Sequence, residues 1–144
     1  MTGWVLDASV ALALGLPDER SPAADGLLAV FERGDEVRVP VLWWYEIANA
    51  LASARRRGRV TAADHARLLE LYRTLPVKTD ALFADRAFTE SSRTAAASGL
   101  SAYDAAYLEL AARRGLGLAT LDDRLADTAV ELGLPVWKRR SSRR

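Results

Sequence analysis

The chain has 144 residues, 20 Lys+Arg against 19 Asp+Glu for a formal net charge of +1, and 50% hydrophobic residues, the balance of a single globular domain able to bury about two thirds of its unfolded surface. It contains no cysteine and one histidine, which excludes disulfides, thiolate zinc sites and a cysteine nucleophile. No apolar run approaches the roughly 20 residues that cross a bilayer, and the N-terminus lacks a basic, cleavable apolar leader, so a cytoplasmic protein without membrane contact is expected.

The opening "MTGWVLDASVALALGLP" reads as a short buried strand at Val5 and Leu6, then Asp7, then an Ala-rich helix carrying Val10, Leu12 and Leu14. Asp7 at that junction has two readings. It could cap the helix, taking a free N–H and the positive dipole end, with Ser9 adding a local hydrogen bond. It could equally mark the carboxyl end of a central parallel strand, where open α/β sheets bind ligands.

Ser21-Pro22 predicts a helix start and Gly34 its end. "EVRVP" predicts a strand of about three residues, and "VLWWYEIANALASARRRG" a helix of roughly four turns. Thr61 with Asp64 forms a capping-box start to a helix that ends before Pro76, and "PVKT" suggests a short strand. A helix then runs through about Ala97. Ser101 and Asp104 open another helix, which Gly115 closes; "LGLAT" is a strand, "DDRLADTAVELG" a helix and "LPVW" a last strand. Strands separated by helices imply right-handed crossovers and a parallel sheet covered on both faces.

His65 falls in the amphipathic "TAADHARLLELYRTL", where it is expected on a solvated helix surface, so any hydrolytic chemistry would rely on carboxylates and metals rather than a Ser-His-Asp triad. Arg55, Arg56, Arg57 and Arg59 cluster, and the tail "KRRSSRR" is almost entirely basic. Such blocks attract phosphate backbones, although cations before Gly58 also suit a helix C-terminus. The adjacent Trp43, Trp44 and Tyr45 cannot all point into one core from a helix, so at least one should meet a second surface.

Glu46 shares a helical stripe with Asn49 and Ser53, opposite the apolar Trp43, Ile47, Leu51 and Ala54. Asp104 lies on the side of Tyr107, Leu108 and Ala111, with Glu109 and Arg113 marking the solvated side; a carboxylate on an apolar face is costly unless hydrogen-bonded, paired or metal-bound. Asp122 repeats the strand, carboxylate, helix order of Asp7. Each acid could be a cap or a solvated residue. Together they would converge on one edge of a parallel sheet, where divalent cations would offset their repulsion.

At these residues the chain resembles a known family. "VLDASV", "YEIANAL", "SAYDAAYLELA" and "LATLDDRLA" look like the four acidic motifs of PIN-domain nucleases, and most closely those of the VapC-type toxins of toxin–antitoxin pairs. The resemblance implies an α/β/α sandwich with about four to five parallel strands over residues 1–138, followed by a basic tail, 139–144, expected to be disordered. It implies Asp7, Glu46, Asp104 and Asp122 as the acidic metal-site and catalytic residues, with Ser9, Asn49 and Thr120 as supporting polar groups. The Thr-x-Asp pattern favours Asp122 over the adjacent Asp123. It further implies metal-dependent cleavage of RNA, a cognate antitoxin and a homodimer. Carboxylate and water ligands suit Mg²⁺, with Mn²⁺ as a substitute. Two rivals remain open at this point: a catalytically silent PIN-like module that binds RNA or protein, and a haloacid-dehalogenase-like phosphatase. The second needs an aspartate two residues after Asp7, where this chain has Ser9.

Overall fold

The computed structural model describes residues 3–19, 21–81 and 84–137; the basic tail expected at 139–144 lies outside them. In chain order the elements are β1 (Gly3–Leu6), α1 (Ala8–Gly15), a 3₁₀ turn (Pro17–Glu19), α2 (Pro22–Arg33), β2 (Glu36–Val39), α3 (Val41–Arg56), α4 (Ala62–Thr74), β3 (Lys78–Thr79), α5 (Ala84–Ser98), α6 (Ala102–Arg114), β4 (Gly117–Ala119) and α7 (Asp123–Glu131).

Local chemistry accounts for most of these boundaries. Ser21 caps α2 by accepting from the Ala23 N–H, with Pro22 in the first turn, and Gly34 closes it in the left-handed region at φ 75°, a conformation that costs glycine little. Thr61 and Asp64 complete a reciprocal capping box at the start of α4. The 3₁₀ turn after α1 has no counterpart in the sequence reading.

The four strands form one parallel sheet in the order β3-β2-β1-β4. From β1 the chain moves outward through β2 and β3, then returns to place β4 on the other side. The strand order therefore reverses between β1 and β4, the place where open α/β sheets form a crevice at their carboxyl ends. Val5 and Leu6 point to opposite faces and are both fully buried, as are Leu118 and Ala119, so the central strands are covered on both sides as the alternation of helices requires.

The expected fifth strand "LPVW" is reduced to a single parallel bridge between Leu118 and Val136. Leu118 N–H donates to the Pro135 carbonyl and Trp137 N–H to the Leu118 carbonyl, both at 2.8 Å. Pro135 has no N–H to offer in return, which suits it to a sheet edge and stops the ladder from extending. Here the backbones also approach closely: a Cβ on Gly117 would stand 2.6 Å from the Trp4 ring and 3.0 Å from the Pro135 carbonyl oxygen.

The core is one cluster spanning both faces of the sheet, including Val10, Leu27, Trp43, Ile47, Leu51, Leu108 and Leu125. Trp43 is fully buried and meets Trp44 edge-on at 4.7 Å between ring centroids, while Tyr45 is 74% exposed. The three aromatics thus divide between core and surface.

Glu109 and Arg113 were expected on the solvated side of α6; the structure places both side chains under cover. Arg113 makes a two-point contact with Asp80, at 3.2 and 2.7 Å, and bonds Glu109 at 2.8 and 3.1 Å. Helical periodicity cannot anticipate this, because the partner Asp80 arrives from the end of β3 and α5 packs along α6. Burial pushes the Asp80 carboxyl up, but the hydrogen bonds and charge of Arg113, aided by Arg114, hold it below its ordinary value of 3.8. Among the clustered arginines, Arg55 and Arg56 occupy the last turn of α3, whereas Arg59 is engaged by Asp18 and Glu19 after α1.

Candidate functional site

Asp7 follows β1 directly and is buried. It occupies the residue before α1 but makes no side-chain capping bond, so the capping reading of Asp7 fails. Its carboxylate instead looks across the sheet. Oδ2 accepts from the Ser9 hydroxyl at 2.7 Å and from the Thr120 hydroxyl at 2.6 Å.

Those hydroxyls are themselves aimed by the backbone beyond β4. Ser9 Oγ accepts from Leu121 N–H at 2.9 Å, and Thr120 Oγ1 accepts from Asp122 N–H at 3.0 Å. A hydroxyl that accepts a backbone proton turns its own proton elsewhere, here to one oxygen of Asp7. Asp7 N–H donates to the Ala119 carbonyl at 2.9 Å, which ties the two strand ends together. The β1 and β4 exits are thus one hydrogen-bonded unit at the reversal of strand order.

Glu46 projects from the second turn of α3 and is half-buried. Its Oε1 accepts a hydrogen bond from the hydroxyl of Tyr107, a fully buried residue of α6. Tyr107 belongs to the site's surroundings, yet the sequence placed it only among apolar neighbours of Asp104. Its spacing of three from Asp104 was the available signal, since such pairs share a helix face.

Asp104 sits in the first turn of α6, where its backbone N–H donates to the Ser101 hydroxyl at 3.1 Å. At α4 the corresponding Asp64 side chain returns a bond to the cap residue; at α6 the cap bond runs from the Asp104 backbone to Ser101. Asp122 does act as a cap. Its Oδ1 accepts from Arg124 N–H at 2.9 Å and from Leu125 N–H at 3.2 Å.

Electrostatics ties the four acids together. Burial raises the Asp7 carboxyl above 3.8, opposed by the Thr120 and Ser9 hydroxyls and reinforced by the charge of Asp122. Burial likewise raises Glu46 above 4.5, with Tyr107 pulling down and the charges of Asp7 and Asp104 pushing up. Asp104 is raised by burial and then by Asp122 and Asp7, with Ser101 and Arg124 opposing. The structure therefore places Asp7 and Asp104 within reach of each other's charge, and each of them within reach of Asp122 and Glu46. Asn49 is exposed on α3 and makes no hydrogen bond to any of them. Asp123 begins α7 as an exposed neighbour of Asp122, and His65 is half-buried on α4.

Among the described residues, no three His, Cys, Asp or Glu side chains stand close enough to form a ready-made metal cage. The donor set still fits a hard divalent cation. It is all oxygen and negatively charged, and Mg²⁺ commonly binds through one or two carboxylates while keeping several waters.

Comparison with known proteins bears on the family and the fold. The sequence profile described as "PIN domain" matches residues 4–131. Ribonuclease VapC3 of Pyrobaculum aerophilum is 34% identical over 135 residues, covering 91% of this chain and 98% of the relative. A VapC ribonuclease of Mycobacterium bovis is 38% identical over 124 residues, covering 86% and 89%. The crystal structure of PAE2754 from Pyrobaculum aerophilum superposes with a TM-score of 0.67 at 26% identity, covering 92% of this chain and 96% of that one. FitAcB from Neisseria gonorrhoeae shares the fold, with a TM-score of 0.66 at 14% identity over 94% and 96% of the two chains.

Proposed function

Since this chain belongs to the PIN-domain family, in its VapC-type branch, we propose that it is a divalent-metal-dependent endoribonuclease acting as the toxin of a toxin–antitoxin pair. Asp7, Glu46, Asp104 and Asp122 are the acidic residues of its site. The observation that carries this reading is the placement of Asp7: buried at the strand-order reversal, held by the Thr120 and Ser9 hydroxyls with no side-chain capping bond to α1, and exposed to the charge of three further acids.

Asp7, Glu46 and Asp104 would hold Mg²⁺ or Mn²⁺, with Asp122 contributing while its Oδ1 caps α7. When bound, the cation supplies water activation and charge stabilisation at the phosphodiester. The protein's own part is positioning. Ser9 and Thr120 fix Asp7, and the caps at Ser101 and Asp122 fix the start of the two helices that carry or follow the acids. The substrate is RNA in single-stranded or loop form, and the cell restrains the activity with a cognate antitoxin protein in the cytoplasm. A homodimer is the expected assembly, and the exposed Tyr45 on α3 is a surface aromatic of the type that interfaces favour.

The test is incubation of the purified protein with tRNA and rRNA in Mg²⁺, in Mn²⁺ and in excess EDTA. Cleavage should require the cation, and full cleavage in EDTA would sink the metal-dependent mechanism. In cells, expression alone should arrest growth whereas Asp7→Asn at equal abundance should be tolerated; an equally toxic variant would remove Asp7 from the site.

A further inference from the structure

We propose that Tyr107 is a positioning residue for Glu46, its hydroxyl holding the carboxylate in the orientation that meets a divalent cation beside Asp7 and Asp104. The inference rests on the cation-dependent reading above and extends the site to a residue outside the four acids.

Tyr107 is fully buried, and a buried phenol hydroxyl needs a hydrogen-bond partner. Its single proton goes to Glu46 Oε1, across from α6 to α3. Glu46 is the acid that most needs such a tether. Its long side chain has more rotamer freedom to lose than an aspartate, it is only half-buried, and the charges of Asp7 and Asp104 oppose its presence. Left free, it would turn towards water.

The choice of donor also matters. A guanidinium in the same place would orient Glu46 but neutralise it, as Arg113 does for Asp80. A phenol orients without adding charge, so the carboxylate keeps its attraction for a cation. Asp7 is held on the same principle by the hydroxyls of Ser9 and Thr120. Tyr107 and Asp104 stand three residues apart on α6, so one helix delivers an acid and the tether of another.

The experiment is calorimetric titration of Mn²⁺ into EDTA-stripped wild type, Tyr107→Phe, Glu46→Ala and the double variant, with melting curves and RNA cleavage measured alongside. Tyr107→Phe keeps the ring and removes the donor. It should bind Mn²⁺ about 10- to 100-fold more weakly, the usual loss when the partner that orients a metal ligand is removed, with a cooperative melting curve at a lowered melting temperature and cleavage recovered in excess Mn²⁺. In the Glu46→Ala background the same change should cost nothing further, because Tyr107 acts through Glu46. Wild-type affinity in Tyr107→Phe, an equal added loss in the Glu46→Ala background, or a Phe variant that fails to fold while Glu46→Ala folds would each overturn the proposal. A wild type that binds no Mn²⁺ would overturn both this inference and the reading beneath it.

Discussion

Replacing Thr120 by Val keeps the shape of a 2% exposed side chain and removes one hydroxyl with two duties. That hydroxyl donates to Asp7 Oδ2 at 2.6 Å and accepts from Asp122 N–H at 3.0 Å. A hydrogen bond to a charged acceptor contributes about 1.5–3 kcal/mol. Asp122 is exposed, so water can satisfy its N–H and that loss adds little. Thr120→Val should therefore cost about 2–3 kcal/mol, or roughly 6–12 °C in melting temperature for a domain of this size. The pH dependence follows from Asp7. Burial raises its folded-state pKa above 3.8, so its contribution to stability is present below that unfolded value and lost as pH rises through the folded one. Without the Thr120 hydroxyl the folded value rises further, so the gap between variant and wild type should be small near pH 4 and widen towards neutrality. Melting curves of metal-free protein followed by circular dichroism across that range measure it. An unchanged melting temperature at pH 7, or a gap independent of pH, would refute the claim that Thr120 stabilises ionised Asp7.

Asp104→Asn should raise the melting temperature of the metal-free protein, since the charges of Asp122 and Asp7 oppose that carboxylate, while lowering RNA cleavage and the Mg²⁺-dependent melting shift; a variant unchanged in both would not belong to the site. Arg113→Met should cost about 3–5 kcal/mol, because Asp80 then keeps only Arg114 at 3.6 Å and Glu109 only Arg86 at 3.8 Å. Asp80 is held below 3.8, so its stabilisation is present above that value and lost as pH falls through the folded one; urea titrations should find the Arg113→Met deficit shrinking in acid. Gly117→Ala should cost about 1–3 kcal/mol by overpacking against the Trp4 ring and the Pro135 carbonyl, and equal stability in urea would show that Trp4 moves freely aside.

The legible parts of the sequence were those written in local chemistry. Ser21-Pro22, Gly34, the Thr61–Asp64 box and Gly115 mark helix ends through contacts within a few residues, and these boundaries appear where such chemistry puts them. Strand–helix alternation gave the parallel sheet for the same reason. What stayed hidden depends on contacts between distant segments. On its own stretch Asp7 kept both a capping and a strand-end reading, because the Thr120 hydroxyl that holds it lies 113 residues away. Tyr107 passed as core because its polar end meets Glu46 across 61 residues, and Arg113 passed as surface because Asp80 covers it from 33 residues upstream. The weak fifth strand follows from Pro135, whose missing N–H was visible but whose position on the sheet edge was not.

The treatment of carboxylates elsewhere in the fold bears on what the sheet edge is for. Where an acid serves stability, this chain supplies a guanidinium: Arg113 for Asp80, Arg59 for Asp18, Arg67 for Asp64, and in each case the carboxyl is held low. At the sheet edge the hydrogen bonds to Asp7 and Glu46 come from Ser9, Thr120 and Tyr107, all neutral donors, and Asp7, Glu46 and Asp104 are all raised. Arg124 is near enough to oppose the shift at Asp104, but its guanidinium is engaged by the Gly99 carbonyl at 2.8 Å. Neutral donors fix direction and leave charge uncompensated, which makes an acid site costly in the metal-free protein and receptive to an added cation. Introducing an internal cation should therefore reverse the trade. Ser9→Lys would place an ammonium beside Asp7 while giving up the Ser9 hydroxyl's bonds to Asp7 and Leu121 N–H, and it should remove the Mg²⁺-dependent melting shift. A folded Ser9→Lys protein that still responds fully to Mg²⁺ would show that the charge at this edge is not what the cation answers.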